Sequence, residues 1–226
     1  GPRYFYRVNK VRVTRDVVEL FLQPAAKKRL QFIAGQFVSL QLRSKAVSRE
    51  SHPFSIVSAP TAEVVRLAAK QLGDYTTQLS QVEQGDLAVL YGPNGRLGHH
   101  LTPAEVWVAG GIGITPFMSM AQALEHQQLP KDVTLFYLVR KRSEAVFLAE
   151  LEKIATEKTQ LKVVIWESSK QGRLDATGID KQVNLARISA VRLCGPVPLM
   201  VSLSTQMQQR DIPVSKIFYE DFAFVN

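Results

Sequence analysis

The sequence is poor in the side chains that build metal centres, with one cysteine, Cys194, and four histidines, His52, His99, His100 and His126. A single thiol cannot close an internal disulfide or supply a four-cysteine cluster or a Cys-rich zinc site. The histidines form no helical i, i+4 pair. No protein-bound metal is expected, and a reducing compartment is. Long apolar runs are also missing, since none approaches the ~20 residues of a membrane span, and no charged-then-apolar leader opens the chain. These residues are therefore not expected to cross a membrane. With 46% hydrophobic and 21% charged residues, disorder, collagen and a coiled coil are excluded. Gly1-Pro2 has the look of a remnant from a cleaved purification tag, which implies a longer natural chain.

What is present is enough for two small domains. The 226 residues carry a formal charge of +8. Residues 1–101 hold 14 Lys+Arg against 7 Asp+Glu, and residues 102–226 hold 14 against 13, so the basic character belongs to the first part. Such a bias fits phosphate, nucleic acid or an anionic surface, and equally a solvated basic face. In the first part, short β-branched or alternating runs lie between turn signals: Phe5 to Val13, Val17 to Leu22, Gln36 to Leu42, Phe54 to Ser58, Val64 to Ala69 and Leu87 to Tyr91. This density of strands predicts an antiparallel barrel or sandwich. One short helix is expected near Thr76 to Gln81, with Thr76 as its cap. After Pro103, strand-like runs (Val106 to Ala109, Val133 to Val139, Leu161 to Trp166, Ala190 to Cys194, Lys216 to Tyr219) alternate with segments whose apolar residues recur every three or four positions. Alternating β and α predicts a five-stranded parallel, doubly wound sheet. The expected domains are 1–101 and 102–226.

The strongest local motif is Val106 to Pro116, in which a buried strand runs through Gly110, Gly111 and Gly113 into a helix with Thr115 as cap and Pro116 in its first turn. Glycines let backbone amides approach a pyrophosphate, and a helix start adds free N–H groups. Three glycines are more than a tight turn needs. Cys194-Gly195-Pro196 ends the fourth strand of the same sheet, where ligands of open α/β folds bind, so Cys194 is expected to face the same crevice as Gly111. In the first part, His52-Pro53-Phe54-Ser55 joins a strand to a turn. Gly73-Asp74-Tyr75-Thr76 leads into the short helix and offers amides and a hydroxyl to an anion, with Lys70 beside it.

Taken together and in this order, these pieces resemble the ferredoxin–NADP reductase superfamily over essentially the whole chain. The resemblance rests on His-Pro-Phe-Ser at 52–55, Gly-x-x-Thr-x-x-Leu at 73–79, Gly-Pro-x-Gly at 92–95, Gly-Gly-Ile-Gly-Ile-Thr-Pro at 110–116, Cys-Gly-Pro at 194–196 and Phe-Tyr-Glu-Asp-Phe at 218–222. The His-Pro-Phe-Ser form resembles the ferric reductase and NADPH oxidase branch, including bacterial proteins in which a membrane haem domain precedes this module. The resemblance implies a six-stranded FAD-binding barrel followed by an NAD(P)H-binding domain. It implies that Phe54 lies against the flavin, Ser55 faces its N5/O4 edge, His52 and Pro53 lie near it, and Gly73 and Thr76 hold the FAD pyrophosphate. It further implies that Gly111, Gly113 and Thr115 hold the dinucleotide phosphates, that Cys194 and Gly195 approach the nicotinamide, and that Phe222 gates the flavin face, with Phe224 competing for that position. Asn94 departs from the aromatic residue that relatives often carry there. Arg140, after the second strand, and Arg173, after the third, are the candidates to clamp an adenosine 2′-phosphate, which favours NADPH over NADH.

The expected chemistry is hydride transfer from NADPH to FAD and then single electrons to an acceptor, with Ser55, Cys194 and Phe222 at the reacting centre. The first reading is the dehydrogenase module of a membrane haem protein, on the cytoplasmic face, passing electrons through haem to oxygen or ferric iron. The alternative is a soluble reductase serving a ferredoxin, another carrier or free flavin. A nucleic-acid-binding domain is permitted by the charge, but no recognised module or aromatic-basic stripe supports it.

Overall fold

A computed structural model describes residues 2–71 and 73–221. The first six strands are β1 (Arg3–Thr14), β2 (Val17–Pro24), β3 (Phe37–Arg43), β4 (Ser51–Ile56), β5 (Val65–Lys70) and β6 (Leu87–Asn94). They close an antiparallel barrel in the order β1-β2-β5-β4-β3-β6. Period-two alternation drives this closure: along β3, Val38, Leu40 and Leu42 are buried while the residues between them are not. These inward residues meet Leu20, Leu22, Ile56, Leu67 and Leu90 in one core. β1 and β2 are joined by a two-residue turn, Arg15-Asp16, with Thr14 facing Val17 across it.

A one-turn helix, α1 (Asp74–Gln78), follows β5. It begins two residues before the expected start, and Gly73, not Thr76, is its N-cap. Gly73 has φ +88, which a glycine adopts without penalty, and the hydroxyls of Thr76 and Thr77 both donate to its carbonyl.

The remaining strands, β7 (Ala104–Gly110), β8 (Asp132–Val139), β9 (Leu161–Glu167), β10 (Ala190–Cys194) and β11 (Ile217–Glu220), form a parallel sheet in the order β11-β10-β7-β8-β9. The helices between them are α2 (Thr115–Ala123), α3 (Leu148–Glu157), α4 (Ser168–Gln171), α5 (Ala176–Asp180) and α6 (Val197–Gln208). Trp107, Ala109 and Leu135 pack on one face against Phe117 and Ala121 of α2 and Leu151 of α3. Val106, Val108 and Leu193 pack on the other against Ile179 of α5 and Leu203 and Met207 of α6. The sheet is thus covered on both faces, as a parallel sheet requires.

The two halves share a continuous seam. Val17, Val57 and Ala68 of the barrel belong to the same core as α2 and α3. Ser119 Oγ donates to the Ser58 carbonyl (2.7 Å) and Gln122 Nε2 to that of Val57 (2.8 Å). Arg66 on β5 reaches Glu19 on β2 and both carboxylate oxygens of Glu150 on α3 (2.6 and 2.9 Å). The segment between β6 and β7 is pinned by Arg192, which is fully buried. Its guanidinium pairs with Glu105 and donates to the carbonyls of Leu97, His99 and His100. Among the described residues no helix is long and apolar enough to cross a membrane.

Candidate functional site

The strand order reverses between β7 and β10, and this switch point is built from backbone packed on backbone. A Cβ on Gly113 would stand 2.2 Å from the Cys194 carbonyl oxygen, and one on Gly195 3.0 Å from the Cα of Gly110. Any side chain at either position would push the two strand ends apart. Gly111 is different: its φ of +54 favours glycine, yet the space beside it is open. Gly111 to Ile114 make a tight helical turn before α2, so Thr115 is the first residue of α2 and not its cap. Its hydroxyl donates to the Ile112 carbonyl (3.0 Å), and Ile114 occupies the cap position without a side-chain hydrogen bond. Thr115 and Pro116 are both buried.

A cavity of about 1110 Å³ opens at this point, large enough for a dinucleotide. Gly110, Gly111, Gly113, Gly195 and Pro196 form its floor, and Arg140, Trp166 and Arg173 lie along it. Lys70, expected beside the Gly73 turn, lines this cavity instead and pairs with Asp16 at 3.3 Å. Arg140 pairs with Glu144 (3.3 Å), whereas Arg173 has no ion pair among the described residues.

Cys194 is not part of the cavity lining. Its side chain is 0% exposed, in the core shared by β7 and α2, and burial pushes its thiol well above the ordinary range, with Glu220 and Asp221 reinforcing the shift. The expectation that it faces the crevice is corrected: the adjacent Gly195 and Pro196 supply that wall. Glu220, at the end of β11, accepts a hydrogen bond from the Arg96 amide (3.2 Å), and burial raises its own pKa. Phe222 and Phe224 lie outside the described residues.

At the barrel, strand alternation decides which residues of the 52–55 motif face outward. His52, Phe54 and Ile56 share one face, and Phe54 lies in the barrel core at 3% exposure. Phe54, which the resemblance implies lies against the flavin, thus turns its ring toward the barrel core. Pro53 and Ser55 lie on the opposite face, across from Ser39 and Phe37 of β3. The His52 ring lies tilted against Tyr75, with centroids 3.8 Å apart and 32° between the planes, and neither His52 Nε2 nor the Tyr75 hydroxyl has a hydrogen-bond partner among the described residues. Glu50 approaches His52 Nε2 only to 3.6 Å. Burial drives the Tyr75 phenol up to about 12, with the nearby Glu50 charge adding to it. Two buried polar atoms without partners, beside the open Gly73, form a cradle that a polar ligand fits.

Tyr75, Trp166, Glu220 and the Arg15-Asp16 turn are not singled out by sequence. Tyr75 and Glu220 do lie inside the 73–79 and 218–222 motifs, so a signal for them existed. Trp166 and Arg15 have none, because only folding brings them to the cavity.

Residues 5–110 match the family model of an FAD-binding domain, and residues 107–205 that of an oxidoreductase NAD-binding domain. The chain belongs to the ferredoxin–NADP reductase-like superfamily. Its cofactors are FAD and NAD(P)H, and it is an FAD-dependent NAD(P)H oxidoreductase. It is 26% identical to a flavohemoprotein of Oceanobacillus iheyensis over 98% of its own length, and 29% identical to an NADPH oxidoreductase of Mycobacterium tuberculosis over 82%. It spans 59% and 51% of these two relatives. The crystal structure of a flavohemoglobin from Malassezia yamatoensis with bound FAD and heme superposes with a TM-score of 0.83 at 26% identity, covering 98% of this chain and 60% of that one. The residues present fit both cofactors of the superfamily: the His52–Tyr75 cradle suits a flavin nucleotide, and the glycine-floored cavity suits a dinucleotide.

Proposed function

We propose that this chain, with a flavin part at 1–101 and a nucleotide part at 102–226, is an electron-input module that takes reducing equivalents from NADPH and delivers single electrons to a haem-containing partner domain. The observation that carries this reading is the cavity at the β7–β10 switch point, whose walls come from both halves: Val17 and Lys70 from the barrel, Gly111 and Gly195 from the sheet. A dinucleotide held there would meet Arg140 after β8 and Arg173 after β9 on one side and Val17 and Lys70 of the barrel on the other.

Bound together, FAD and NADPH supply hydride transfer followed by one-electron release. The chain's part is to bind, orient and exclude water. Gly111 and Gly113 keep the turn bare of side chains so that a phosphate can approach its backbone, and Gly195 and Pro196 hold the opposite wall. Arg173 supplies the cation for a 2′-phosphate, with Arg140 held partly in reserve by Glu144. Ser55, buried on the face of β4 turned away from the barrel core, is the candidate hydroxyl for the flavin N5 edge. Cys194 acts as a neutral, compact packing group behind Gly195, consistent with its raised pKa. His52, Pro53, Gly73 and Thr76 hold the flavin nucleotide, Tyr75 joins them, and Phe222 is the candidate gate.

The haem partner is suggested by the flavohemoprotein relatives. The His-Pro-Phe-Ser form at 52–55 favours, within that reading, a membrane ferric reductase or superoxide-generating oxidase working at the cytoplasmic face. A second reading, a reductase serving a separate carrier, is favoured by the NADPH oxidoreductase relative. The test is anaerobic addition of NADPH to FAD-loaded protein, followed by stopped-flow spectra. Bleaching of the flavin absorbance is expected, and a chain that neither binds FAD nor consumes NADPH would refute the proposal.

A further inference from the structure

The cavity is lined by three carboxylates and four cations, and their pairing is uneven. Asp16 pairs with Lys70 at 3.3 Å and Glu144 with Arg140 at 3.3 Å. Arg173 and Arg15 are left lining the cavity without an ion pair among the described residues. Arg173 follows β9 and serves the adenosine end. Arg15 arrives from the other domain, at the tip of the β1–β2 hairpin.

The backbone at Arg15 is also unusual. It has φ +55 in the first position of a two-residue hairpin turn, where glycine is the ordinary occupant, and a non-glycine residue there costs about 1–2 kcal/mol. The turn is nonetheless held firmly. The Gln71 amide donates to the Asp16 carbonyl at 2.6 Å, and Lys70 holds the Asp16 side chain. Behind the tip, Glu19 on β2 bridges Arg12 and Arg66, and Arg66 continues to Glu150 on α3. The Arg66 guanidinium lies over the rings of both Phe21 and Phe147, and Phe147 itself lines the cavity. The hairpin is thus braced against α3, whose N-cap residue, Phe147, lines the cavity.

We propose that Arg15 is a dinucleotide-binding residue contributed by the flavin domain, which neutralises the diphosphate bridge of NAD(P)H, and that the Glu19–Arg66–Glu150 brace is the positioning device that holds it over the cavity. The 2′-phosphate already has Arg173 at the adenosine end, whereas the diphosphate has the glycine turn on its sheet side and, among the described residues lining the cavity, no other unpaired cation than Arg15. The inference rests on the reading of this cavity as the NAD(P)H site. It goes further in making the nucleotide site a property of both domains, so that binding strength depends on how they are held together.

The test is calorimetric titration of the FAD-loaded protein with NADP⁺, NAD⁺ and 2′,5′-ADP, the last of which lacks a diphosphate bridge. Arg15→Gly should fold at least as well as the parent, because glycine suits φ +55, and should bind NADP⁺ and NAD⁺ each about tenfold more weakly. Its affinity for 2′,5′-ADP should stay within about twofold of the parent, and Arg15→Lys should recover most of the lost dinucleotide affinity. Glu150→Gln should weaken NADP⁺ binding in the parent but add nothing in the Arg15→Gly background, a non-additivity that a purely structural role for the brace would not produce. Unchanged NADP⁺ and NAD⁺ affinities in Arg15→Gly, or an equal loss for 2′,5′-ADP, would overturn the assignment, and additive effects of the two substitutions would overturn the brace. A parent that binds none of the three would refute the dinucleotide reading itself.

Discussion

Replacing Arg192 with methionine nearly keeps the volume and removes the charge from the most enclosed ion pair among the described residues. Arg192 and Glu105 are both 0% exposed at their side chains, 2.8 Å apart. Loss of one partner strands a buried carboxylate, which costs about 3–5 kcal/mol. The carbonyls of Leu97, His99 and His100 lose their donors as well, and even one that stays dry adds about 1 kcal/mol. A loss of at least about 4 kcal/mol is expected, which in a chain of this size lowers the melting temperature by about 8–16 °C. The informative control is the double variant Arg192→Met/Glu105→Met. An isolated buried pair can be exchanged for apolar residues at little cost. Glu105, however, also accepts from the Thr102 amide (2.7 Å), the Thr102 hydroxyl (3.1 Å) and Trp107 Nε1 (2.7 Å). The double variant should therefore stay well below the parent. Thermal melts of FAD-loaded protein decide the matter: a single variant within about 1 kcal/mol of the parent, or a double variant restored to it, would refute the reasoning.

Gly113→Ala should disrupt the switch point, because its Cβ meets backbone at 2.2 Å; soluble, fully stable protein with unaltered NADP⁺ affinity would show that the strand ends can yield. Arg173→Gln should raise the Michaelis constant for NADPH by about 10–100-fold and leave NADH unaffected, the loss of one charge-assisted contact; equal effects on both would place it elsewhere. Trp166 lines the cavity and fixes its ring through Nε1 to the Gly172 carbonyl (2.9 Å), so NADP⁺ should quench tryptophan fluorescence in the parent and not in Trp166→Phe. Glu220 has a folded-state pKa above the ordinary 4.5, so the native state holds its proton more tightly than the unfolded chain and stability falls as pH rises from about 4.5 through that raised value. Glu220→Gln should remove this part of the pH dependence, measured by urea unfolding across pH 4–8; an unchanged profile would assign it to other groups.

The fold was largely legible because each strand announced itself by local pattern. β2, β3, β8, β9 and β10 begin and end within two residues of the runs Val17 to Leu22, Gln36 to Leu42, Val133 to Val139, Leu161 to Trp166 and Ala190 to Cys194. The short α4 and α5 carry too few residues for a period to register. Caps were misread at Thr76 and Thr115, since both sequences look like threonine before a helix, while Gly73 with φ +88 and the turn at Gly111 start the helical geometry earlier. Gly113 and Gly195 were readable because close backbone approach leaves no room for a side chain. Phe54 shows the opposite case: its motif was legible, but the strand's alternation turns the ring inward. Arg15 and Trp166 had no local signature, because their neighbours in space lie in another domain or across a loop.

If the proposed flavin cradle is right, the paired His52 and Tyr75 rings carry a consequence for the life of the protein before it meets its flavin. Each buried polar atom without a partner costs about 1–3 kcal/mol, a sizeable share of the 5–15 kcal/mol typical of a whole domain. A ligand that satisfies both restores that stability by mass action. Freshly made chains should then be most vulnerable to proteases when flavin is scarce, and the abundance of the protein in a cell should follow its supply of flavin even where the rate of synthesis is constant.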